Sequence, residues 1–409
     1  MAPNIHRIPL FPTTIKDNRI RCAILGTGMM GQEHISYILG YSDEVRIDFL
    51  CDPFENSLTE ARRLIMGTPY HDPKYLSNED ELLSNAGQID LLVIASPNYM
   101  HTPTLLRWGA HDITILCEKP VSVSKDQHNE LIAASKLCEW SARLWIAMEY
   151  RYIPAIAKLL SLLPEIGELK MVTIRENRYP FLHKVGEWNR DRAKTGDTLV
   201  EKCCHFFDLF RLITGKEVDL SKVRTLAQRG INYGQEENQF DVPILDSAYV
   251  TMPFQGEDGR CSTVGCLELC MFAEGSRHQE EIIVTGSKGR LESYLPENKV
   301  FMYQRPTMEQ WDDKTIPPPK SSIREQVFDC SNVKDIHGIA DDIPTHGGYH
   351  YCSTAVEWYY LLAAIRKYID GSNFQPHVSL SDGLKAVEIG IQATSTLDDG
   401  MVSDCRDVR

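Results

Sequence analysis

A glycine-rich turn between a strand-like run and a helical pattern is the feature that most limits how this chain can fold. The apolar run "RIRCAIL" leads into Gly26-Thr27-Gly28-Met29-Met30-Gly31, and a helical pattern follows. In a G-x-G-x-x-G motif at this place, the first glycine permits a tight turn, the second lets the backbone approach a pyrophosphate, and the third allows close helix–strand packing. The N–H groups at the helix start favour the phosphates. The motif therefore predicts a dinucleotide site with these contacts: Gly26, Gly28, Met29, Met30 and Gly31.

Asp52 indicates which dinucleotide binds. It ends a second strand-like run, "VRIDFLC", and follows Gly31 by twenty-one residues. A carboxylate at this place accepts hydrogen bonds from both ribose hydroxyls and repels a 2′-phosphate, so NAD is favoured over NADP. The alternative role for Asp52 is that of a helix cap or turn residue.

Strand-like and helical segments alternate through the first third of the chain. Apolar runs at Ile89–Pro97 and Ile113–Pro120 are separated by a helix expected from about Thr102 to Gly109. This alternation predicts an α/β fold with a doubly wound parallel sheet and a ligand at the carboxyl ends of its strands. The polar residues that follow these strands are either further cofactor contacts or ordinary turn residues. They are Ser96, Pro97, Asn98, His101, Glu118 and Lys119.

Composition excludes several classes of protein. A chain of 409 residues is long enough for two domains. Its formal charge of −14 argues against a nucleic-acid binder, and no apolar run approaches the ~20 residues that span a bilayer. The first residues lack the apolar core of a secretory signal, so we expect a cytoplasmic protein whose twelve cysteines are reduced and mostly structural.

The segment "LVEKCCHFFDLF", Leu199 to Phe210, concentrates reactive side chains. Read as one helix, it places Glu201, His205 and Asp208 on one face. A zinc site would need matched ligands that the segment lacks, and a cysteine nucleophile would need a base facing it. A polar helix face without chemistry is the third alternative. An acid–base role for His205 explains most, because the ordinary pKa of histidine lies nearest neutrality.

The motifs GTGMMG, Asp52, "ASPNYMHTP", "CEKP" and "EYRYIPAI" together resemble the glucose–fructose oxidoreductase/inositol dehydrogenase family, also called Gfo/Idh/MocA. The resemblance implies a second, α+β domain with a large open, mostly antiparallel sheet that often serves dimerisation. Strand-like runs such as "MVTIREN" and "EEIIVTG" fit such a sheet. We therefore expect an N-terminal extension over 1–18, an NAD-binding Rossmann domain over 19–149, and a substrate-binding and dimerisation domain over 150–409. The expected assembly is a homodimer or homotetramer.

The resemblance also implies catalytic residues. Lys119 occupies the lysine position of the family's "EKP" motif, and His205 occupies the histidine of its D-x-G-x-H-x-x-D helix. Glu201 stands where aspartate is commoner, and Cys203 where glycine is commoner, which marks a divergent branch. The predicted chemistry is proton transfer to His205, polarisation of the substrate oxygen by Lys119, and electrostatic support from Glu201.

The remaining predictions concern the substrate. A segment rich in cations and aromatics, Arg175 to Thr198, is expected to meet a hydroxylated compound. The predicted substrate contacts are Lys119, Tyr150, Arg151, Lys184, Trp188, Asn189, Arg190 and His205, without a metal. His346 and His350 could reach the site from a loop, but a position in the core or at a helix start is equally plausible, so both stay outside this set. The predicted function is an NAD-dependent oxidoreductase acting on a secondary alcohol of a sugar or polyol. The alternatives are transient use of tightly bound NAD during elimination or hydrolysis, and a non-catalytic NAD sensor.

Overall fold

A computed structural model describes most of the chain. The described residues are 18–68, 72–137, 140, 143–232, 243–256, 258–307, 309–311, 313–339, 350–397 and 402–404. The expected N-terminal extension, apart from its last residue, and His346 lie outside them. In the described part, no helix is both long and apolar enough to cross a membrane.

The first sheet has six parallel strands in the order β3-β2-β1-β4-β5-β6. Its strands are β1 (Ile20–Leu25), β2 (Val45–Cys51), β3 (Lys74–Leu76), β4 (Leu91–Ile94), β5 (Thr114–Glu118) and β6 (Arg143–Ala147). The strand order reverses between β1 and β4, and this switch point opens a crevice at the carboxyl ends. β4 and β5 are buried along their whole length, because helices cover both faces of the sheet. The predicted parallel Rossmann sheet is confirmed.

Five helices connect these strands. They are α1 (Met29–Gly40), α2 (Glu55–Ile65), α3 (Glu79–Leu83), α4 (Asn98–Trp108) and α5 (Lys125–Ala134). α4 begins four residues before the predicted start at Thr102. Pro103, a residue type that suits the first turn of a helix, instead lies more than one turn inside α4. Asn98 therefore belongs to the helix start at the sheet edge, not to a loop.

The second sheet has nine strands in the order β14-β13-β12-β11-β7-β10-β9-β8-β15. They are β7 (Leu169–Asn177), β8 (Arg224–Arg229), β9 (Leu245–Gln255), β10 (Cys261–Cys270), β11 (Glu280–Gly286), β12 (Gly289–Leu295), β13 (Lys299–Gln304), β14 (Arg324–Asp329) and β15 (Val402–Asp404). Six of its eight strand pairs are antiparallel, and β7–β10 and β8–β15 are parallel. The predicted open, mostly antiparallel sheet is confirmed.

The helices of the second half are α6 (Pro154–Leu162), α7 (Arg192–Thr195), α8 (Thr198–Glu201), α9 (Cys204–Thr214), α10 (Val333–His337), α11 (Ser353–Ile369) and α12 (Leu380–Ser395). α11 returns to the first sheet and shares its core. Trp358 and Leu361 cluster with residues of β1 and α1, and Tyr41 Oη donates a hydrogen bond to Ala355 O at 3.1 Å. Residues late in the chain therefore contribute to the packing behind the dinucleotide-binding sheet.

The helix predicted through Leu199–Phe210 is broken. α8 ends at Glu201, α9 begins at Cys204, and the Cys203 N–H donates to Thr198 O, five residues back, at 3.3 Å. Such a widened turn often lies at a functional site. The single continuous face assigned to Glu201, His205 and Asp208 was therefore wrong, because the break rotates Glu201 relative to the two residues on α9.

The packing of α1 on β1 generates a stability prediction. A methyl group at Gly31 would lie 2.1 Å from Gly26 O, whereas one at Gly28 would meet nothing within 4 Å. Gly31→Ala is expected to lower the free energy of unfolding by about 1–3 kcal/mol, because the helix must move away from the strand. Urea unfolding followed by circular dichroism tests this, with Gly28→Ala as the matched control. Equal stability of the two variants would contradict the packing role of Gly31.

Candidate active site

The glycine turn forms one wall of the crevice at the switch point. Gly26 has φ +95°, and a side chain there would lie 2.5 Å from the backbone of Ala95 and Ser96. Gly28 faces open space and precedes α1, whose first turn no side chain caps. A phosphate group therefore has room to approach backbone N–H groups. Met29 and Met30, also predicted cofactor contacts, open this helix, and Met29 is exposed.

Asp52 holds the same turn from the end of β2. Its Oδ2 accepts from Thr27 N at 2.7 Å, and its Oδ1 accepts from Phe54 N at 2.9 Å. The turn role left open by the sequence is thus present in the structure. Thr27 Oγ1 also donates to Oδ2, at 3.3 Å. Because an ionised carboxylate has about four acceptor positions, about one remains for a ribose hydroxyl. The NAD contact of Asp52 stays a prediction.

The end of β4 carries polar atoms that lack partners. Ser96 Oγ and Asn98 Nδ2 are buried, and neither has a hydrogen-bond partner among the described residues. Pro97 lies between them and caps α4. Unsatisfied buried polar atoms are costly, so these two are suited to bonding a bound group. Together with the open space at Gly28, they fit an NAD molecule lying across the crevice.

His101 lies nearby but faces the protein. Its Nδ1 is 2.8 Å from Pro120 O, its Nε2 is 2.8 Å from Ser96 O, and the residue is 1% exposed. Both ring nitrogens are therefore occupied by backbone carbonyls. We remove His101 from the predicted cofactor contacts and assign it to holding the ends of β4 and β5 together.

Glu118 is fixed from behind by a buried histidine. His34 Nε2 lies 2.9 Å from Glu118 Oε1, and Trp358 Nε1 donates to His34 Nδ1 at 3.0 Å. Since Nδ1 accepts this bond, Nε2 carries the proton and donates to Glu118. Burial raises the pKa of Glu118, but the hydrogen bond from His34 and the positive charge of Lys119 outweigh burial, so the net shift is downward. This anchoring fixes the backbone position from which the side chain of the next residue, Lys119, extends.

Lys119 reaches the region of α8. Its Nζ donates to Glu201 O at 3.3 Å, and Lys184 Nζ lies 3.9 Å from Glu201 Oε1. Burial lowers the pKa of Lys119, but negative charges led by Glu201 outweigh it and the net shift is upward. Burial raises the pKa of Glu201, and Lys119 and Lys184 reverse that shift. Lys119 is therefore a fixed cation and Glu201 a fixed anion at neutral pH.

His205 lies on α9 with its ring stacked on Tyr150, at 4.4 Å between ring centres. Its Nε2 is 3.5 Å from Glu149 Oε1, and its Nδ1 has no hydrogen-bond partner among the described residues. Burial and then the charges of Lys119 and Lys202 hold the pKa of His205 well below its usual value. The ring is therefore neutral at neutral pH and able to accept a proton.

Tyr150 supports this ring from a buried network. Lys202 Nζ donates to Tyr150 Oη at 2.7 Å, and Tyr150 Oη donates to Glu280 Oε1 at 3.2 Å. Lys202, in the break between α8 and α9, also lies 3.3 Å from Glu176. The Tyr150 hydroxyl is therefore engaged within the protein, and its ring serves as the platform for His205.

Arg151, a predicted substrate contact, binds elsewhere. Its guanidinium forms a two-pronged ion pair with Asp208 of α9 and donates to His377 O at 2.9 Å. We remove Arg151 from the predicted substrate contacts, because its guanidinium fastens the segment that follows β6 to α9. This also places Asp208 behind the site, away from the substrate.

The predicted substrate contacts between Arg175 and Thr198 form two pairs that lie in different environments. Lys184 Nζ lies 4.6 Å over the Trp188 ring, and both residues are partly exposed. Asn189 and Arg190 are 0% and 1% exposed, and they bond to Leu182 O and Phe181 O. We remove the latter two from the predicted substrate contacts, because their side chains hold the segment together from inside.

The sequence analysis did not predict four further residues of the site: Glu33, His34, Glu149 and His350. His350 lies 2.9 Å from Glu33 and 3.7 Å from Glu149. Glu149 had a nearby signal, since it directly precedes Tyr150, and His350 was considered in the sequence analysis but left outside the predicted set. In the described part of the chain, no group of three or more His, Cys, Asp or Glu residues is placed to hold a metal.

The Arg151–Asp208 pair generates a second prediction. Arg151→Met leaves the buried carboxylate of Asp208 with only the more distant Arg211, at 3.9 Å, and is expected to cost roughly 3 kcal/mol of stability. Arg107→Met, which breaks an exposed ion pair with Asp80, is expected to cost about 1 kcal/mol or less. Thermal unfolding of both variants measures the difference. A larger loss for Arg107→Met would contradict the fastening role of Arg151.

Comparison with known proteins gives two family matches. A model described as "Oxidoreductase family, NAD-binding Rossmann fold" matches residues 20–139, and one described as "Oxidoreductase family, C-terminal alpha/beta domain" matches residues 163–401. The inositol 2-dehydrogenase of Pseudarthrobacter chlorophenolicus is 28% identical over 208 residues, which are 50% of this chain and 57% of that enzyme. The 2,7-anhydro-N-acetylneuraminate hydratase of Mediterraneibacter gnavus is 25% identical over 238 residues, 56% of this chain and 60% of that enzyme. These alignments thus span less than two thirds of each relative.

Solved structures show the same fold. An NAD-binding oxidoreductase from Klebsiella pneumoniae superposes with a TM-score of 0.71 at 18% identity, covering 93% of this chain and 97% of that one. Levoglucosan dehydrogenase in complex with NADH and levoglucosan gives a TM-score of 0.71 at 17% identity, covering 92% and 97%. At these identities the likeness establishes the architecture.

Proposed function

This chain belongs to the Gfo/Idh/MocA oxidoreductase family, and on that premise we propose that it is an NAD-dependent dehydrogenase of a sugar or polyol hydroxyl group. The observation that carries the proposal is the pairing of a neutral, buried His205 with a cationic Lys119 beside the NAD-binding crevice. Oxidation of a secondary alcohol needs both a proton acceptor and a positive charge near the oxygen.

NAD would be held by the glycine turn, Asp52 and the residues that end β4. Gly28 leaves room for the pyrophosphate, Asp52 supplies an acceptor for the ribose, and Ser96 and Asn98 supply unsatisfied polar atoms. When bound, NAD supplies the hydride acceptor. A carboxylate at Asp52 disfavours a 2′-phosphate, which is why NAD is expected over NADP.

The residues of this chain would then accept the proton and stabilise the developing charge. His205 accepts the hydroxyl proton, and the Lys119 ammonium stabilises the negative charge that develops on the oxygen. Glu201 keeps Lys119 charged and lies between it and Lys184. Because the pKa of His205 is held low, the ring is unprotonated across the neutral range, and alcohol oxidation should not require alkaline conditions for that step.

The substrate class follows from the open side of the site. Lys184 and Trp188 present a cation and an aromatic face, which suit hydroxyl groups and the apolar face of a sugar ring. The relatives named inositol 2-dehydrogenase and the structure of levoglucosan dehydrogenase support this class. We keep Lys119, Lys184, Trp188 and His205 as the proposed substrate side of the site. Tyr150 is removed from the predicted substrate contacts, because its hydroxyl is bonded within the protein and its ring supports His205.

Transient use of NAD is a second candidate function. One relative is named a hydratase, and hydration changes no net oxidation state. A protein of that kind would turn over its substrate without releasing NADH. An NAD sensor has less support, because a sensor needs neither the Lys119 cation nor a buried neutral His205.

Nicotinamide absorbance tests the function. Purified protein with NAD or NADP and a panel of polyols, sugars and hydroxy acids is expected to form NADH with one compound class. His205→Ala is expected to lower kcat by about 10²–10⁴-fold with NADH binding nearly unchanged, because only proton transfer is removed. His111→Ala, at the distant end of α4, serves as the control. Full activity of His205→Ala would exclude His205 as the proton acceptor, and product formation without NADH would favour transient use of NAD.

The open face of the nine-stranded sheet is the proposed assembly surface. Met171 pairs in register with Val264, Leu226 pairs with Tyr249, and all four side chains are exposed on one face. Exposed apolar side chains on a broad sheet favour association between copies of the chain. A cytoplasmic location stays a prediction.

Size-exclusion chromatography with light scattering tests this surface. The wild-type protein is expected to run as a dimer or tetramer, and Val264→Lys with Tyr249→Lys is expected to shift it toward monomer, because charges would face each other across the interface. Lys substitution at Met66, an exposed residue on the other domain, is the control. A monomeric wild-type protein would contradict the proposed assembly.

A further inference from the structure

We propose that Glu149 and His350 form a proton relay that carries the proton from His205 to solvent. The proposal rests on the proposed dehydrogenase function, since it concerns the fate of the proton that His205 accepts. Neither residue contacts the reacting atoms, and both act through His205.

Three side chains lie in series behind His205. His205 Nε2 is 3.5 Å from Glu149 Oε1, and the same Oε1 is 3.7 Å from His350 Nε2. On the other side of its ring, His350 Nδ1 is 2.9 Å from Glu33 Oε1, which also accepts from Thr354 Oγ1 at 2.7 Å. Each histidine thus offers one nitrogen to Glu149, and His350 offers the other to Glu33.

Exposure increases along this series. The side chains of His205 and Glu149 are each 2% exposed, whereas those of His350 and Glu33 are 22% and 15% exposed. The series therefore runs from the buried site to water between α1 and the start of α11.

The elements that hold the relay are different from those that hold the reacting groups. Glu149 lies in the turn after β6, His350 directly precedes α11, and Glu33 lies on α1. Glu149 Oε2 is buried and has no hydrogen-bond partner among the described residues. A carboxylate that is buried without full hydrogen bonding is poorly explained by stability alone.

The proton steps balance without another reagent. The substrate C–H bond breaks, and its electron pair leaves with the hydride. The O–H proton passes to His205 Nδ1 as the carbonyl forms. The imidazolium then releases its Nε2 proton to Glu149. Glu149 passes a proton to Nε2 of a neutral His350 ring, whose Nδ1–H donates to Glu33, and the imidazolium so formed releases its Nδ1 proton to water or Glu33. The distances of 3.5 and 3.7 Å exceed those of hydrogen bonds, and such contacts commonly tighten when a site fills.

The charges around Glu149 suit a proton carrier. Glu118, Lys119 and Glu357 face it from the ends of β5 and from α11, besides His205 and His350. Burial raises the pKa of Glu149 to about 7, and the charge of His350 acts in the opposite direction. Burial lowers the pKa of His350, but Glu33 outweighs burial and raises it to about 9, while Lys202 opposes that rise. The relay needs an ionised Glu149 and a neutral His350, so alcohol oxidation should quicken as pH rises through about 7 and again toward about 9.

The test compares Glu149→Gln and His350→Gln in the holoenzyme over pH 5.5–10. Glu149→Gln is expected to lower kcat at least about tenfold, with the KM for the alcohol and NADH binding unchanged. His350→Gln is expected to move the acidic limb of the kcat profile to higher pH, because Glu149 loses a cation that lowers its pKa. Added imidazole is expected to restore part of the activity of His350→Ala, since that position is partly exposed.

His278→Gln is the matched control. His278 is 16% exposed and lies 3.4 Å from Glu281 and 3.3 Å from Glu297, so it also sits between two carboxylates. Since it contacts no member of the relay, its kcat profile is expected to match the wild type. If Glu149→Gln fails to fold, the pH profile and the imidazole rescue at position 350 still decide the question.

The outcomes separate the relay from the proposed function. Unchanged kcat profiles in both relay variants, with an active wild type, would overturn the relay alone. A uniform loss of kcat without a pH shift or imidazole rescue would reduce both residues to structural support and would also overturn it. A wild type that forms no NADH from any alcohol would overturn the proposed function, and the relay with it.

Discussion

The buried positive charge of Lys119 determines the electrostatics of the whole site. An ammonium group removed from water is costly unless anions compensate it. Glu201, Glu149 and Glu118 provide that compensation and keep the lysine charged. The same charge, with burial, lowers the pKa of His205 and leaves its ring neutral. One cation therefore produces both requirements of the proposed alcohol oxidation, a positive charge beside the oxygen and a free base.

The break between α8 and α9 gives Glu201 and His205 different partners, whereas a continuous helix would place them on one face. Glu201 ends α8 and turns toward Lys119 and Lys184, whereas His205 on α9 faces Tyr150 and Glu149. Lys202, inside the break, reaches the Tyr150 hydroxyl. The carboxylate thus supports the cation, and the histidine receives a different carboxylate partner.

The return of α11 to the first sheet ties the cofactor crevice to the last third of the chain. Trp358 fixes the tautomer of His34, which anchors Glu118 and so positions Lys119. His350, at the entrance to the same helix, meets Glu33 and Glu149. The packing of α11 therefore positions both Lys119 and the groups behind His205.

The sequence by itself determined the architecture and the cofactor, because these depend on local patterns: glycine spacing and strand–helix alternation. The pair Lys119 and His205 came from the resemblance of two short motifs to those of the family, and its catalytic role stays a prediction. The start of α4, the break after Glu201, and the engagement of Arg151, Asn189, Arg190 and His101 within the protein were decided only by the tertiary structure. The same holds for Glu149 and His350, which lie about two hundred positions apart in the chain and meet only when α11 packs on α1. The physical reason is that a charged side chain takes whichever partner burial brings within reach, and burial is a property of the whole fold.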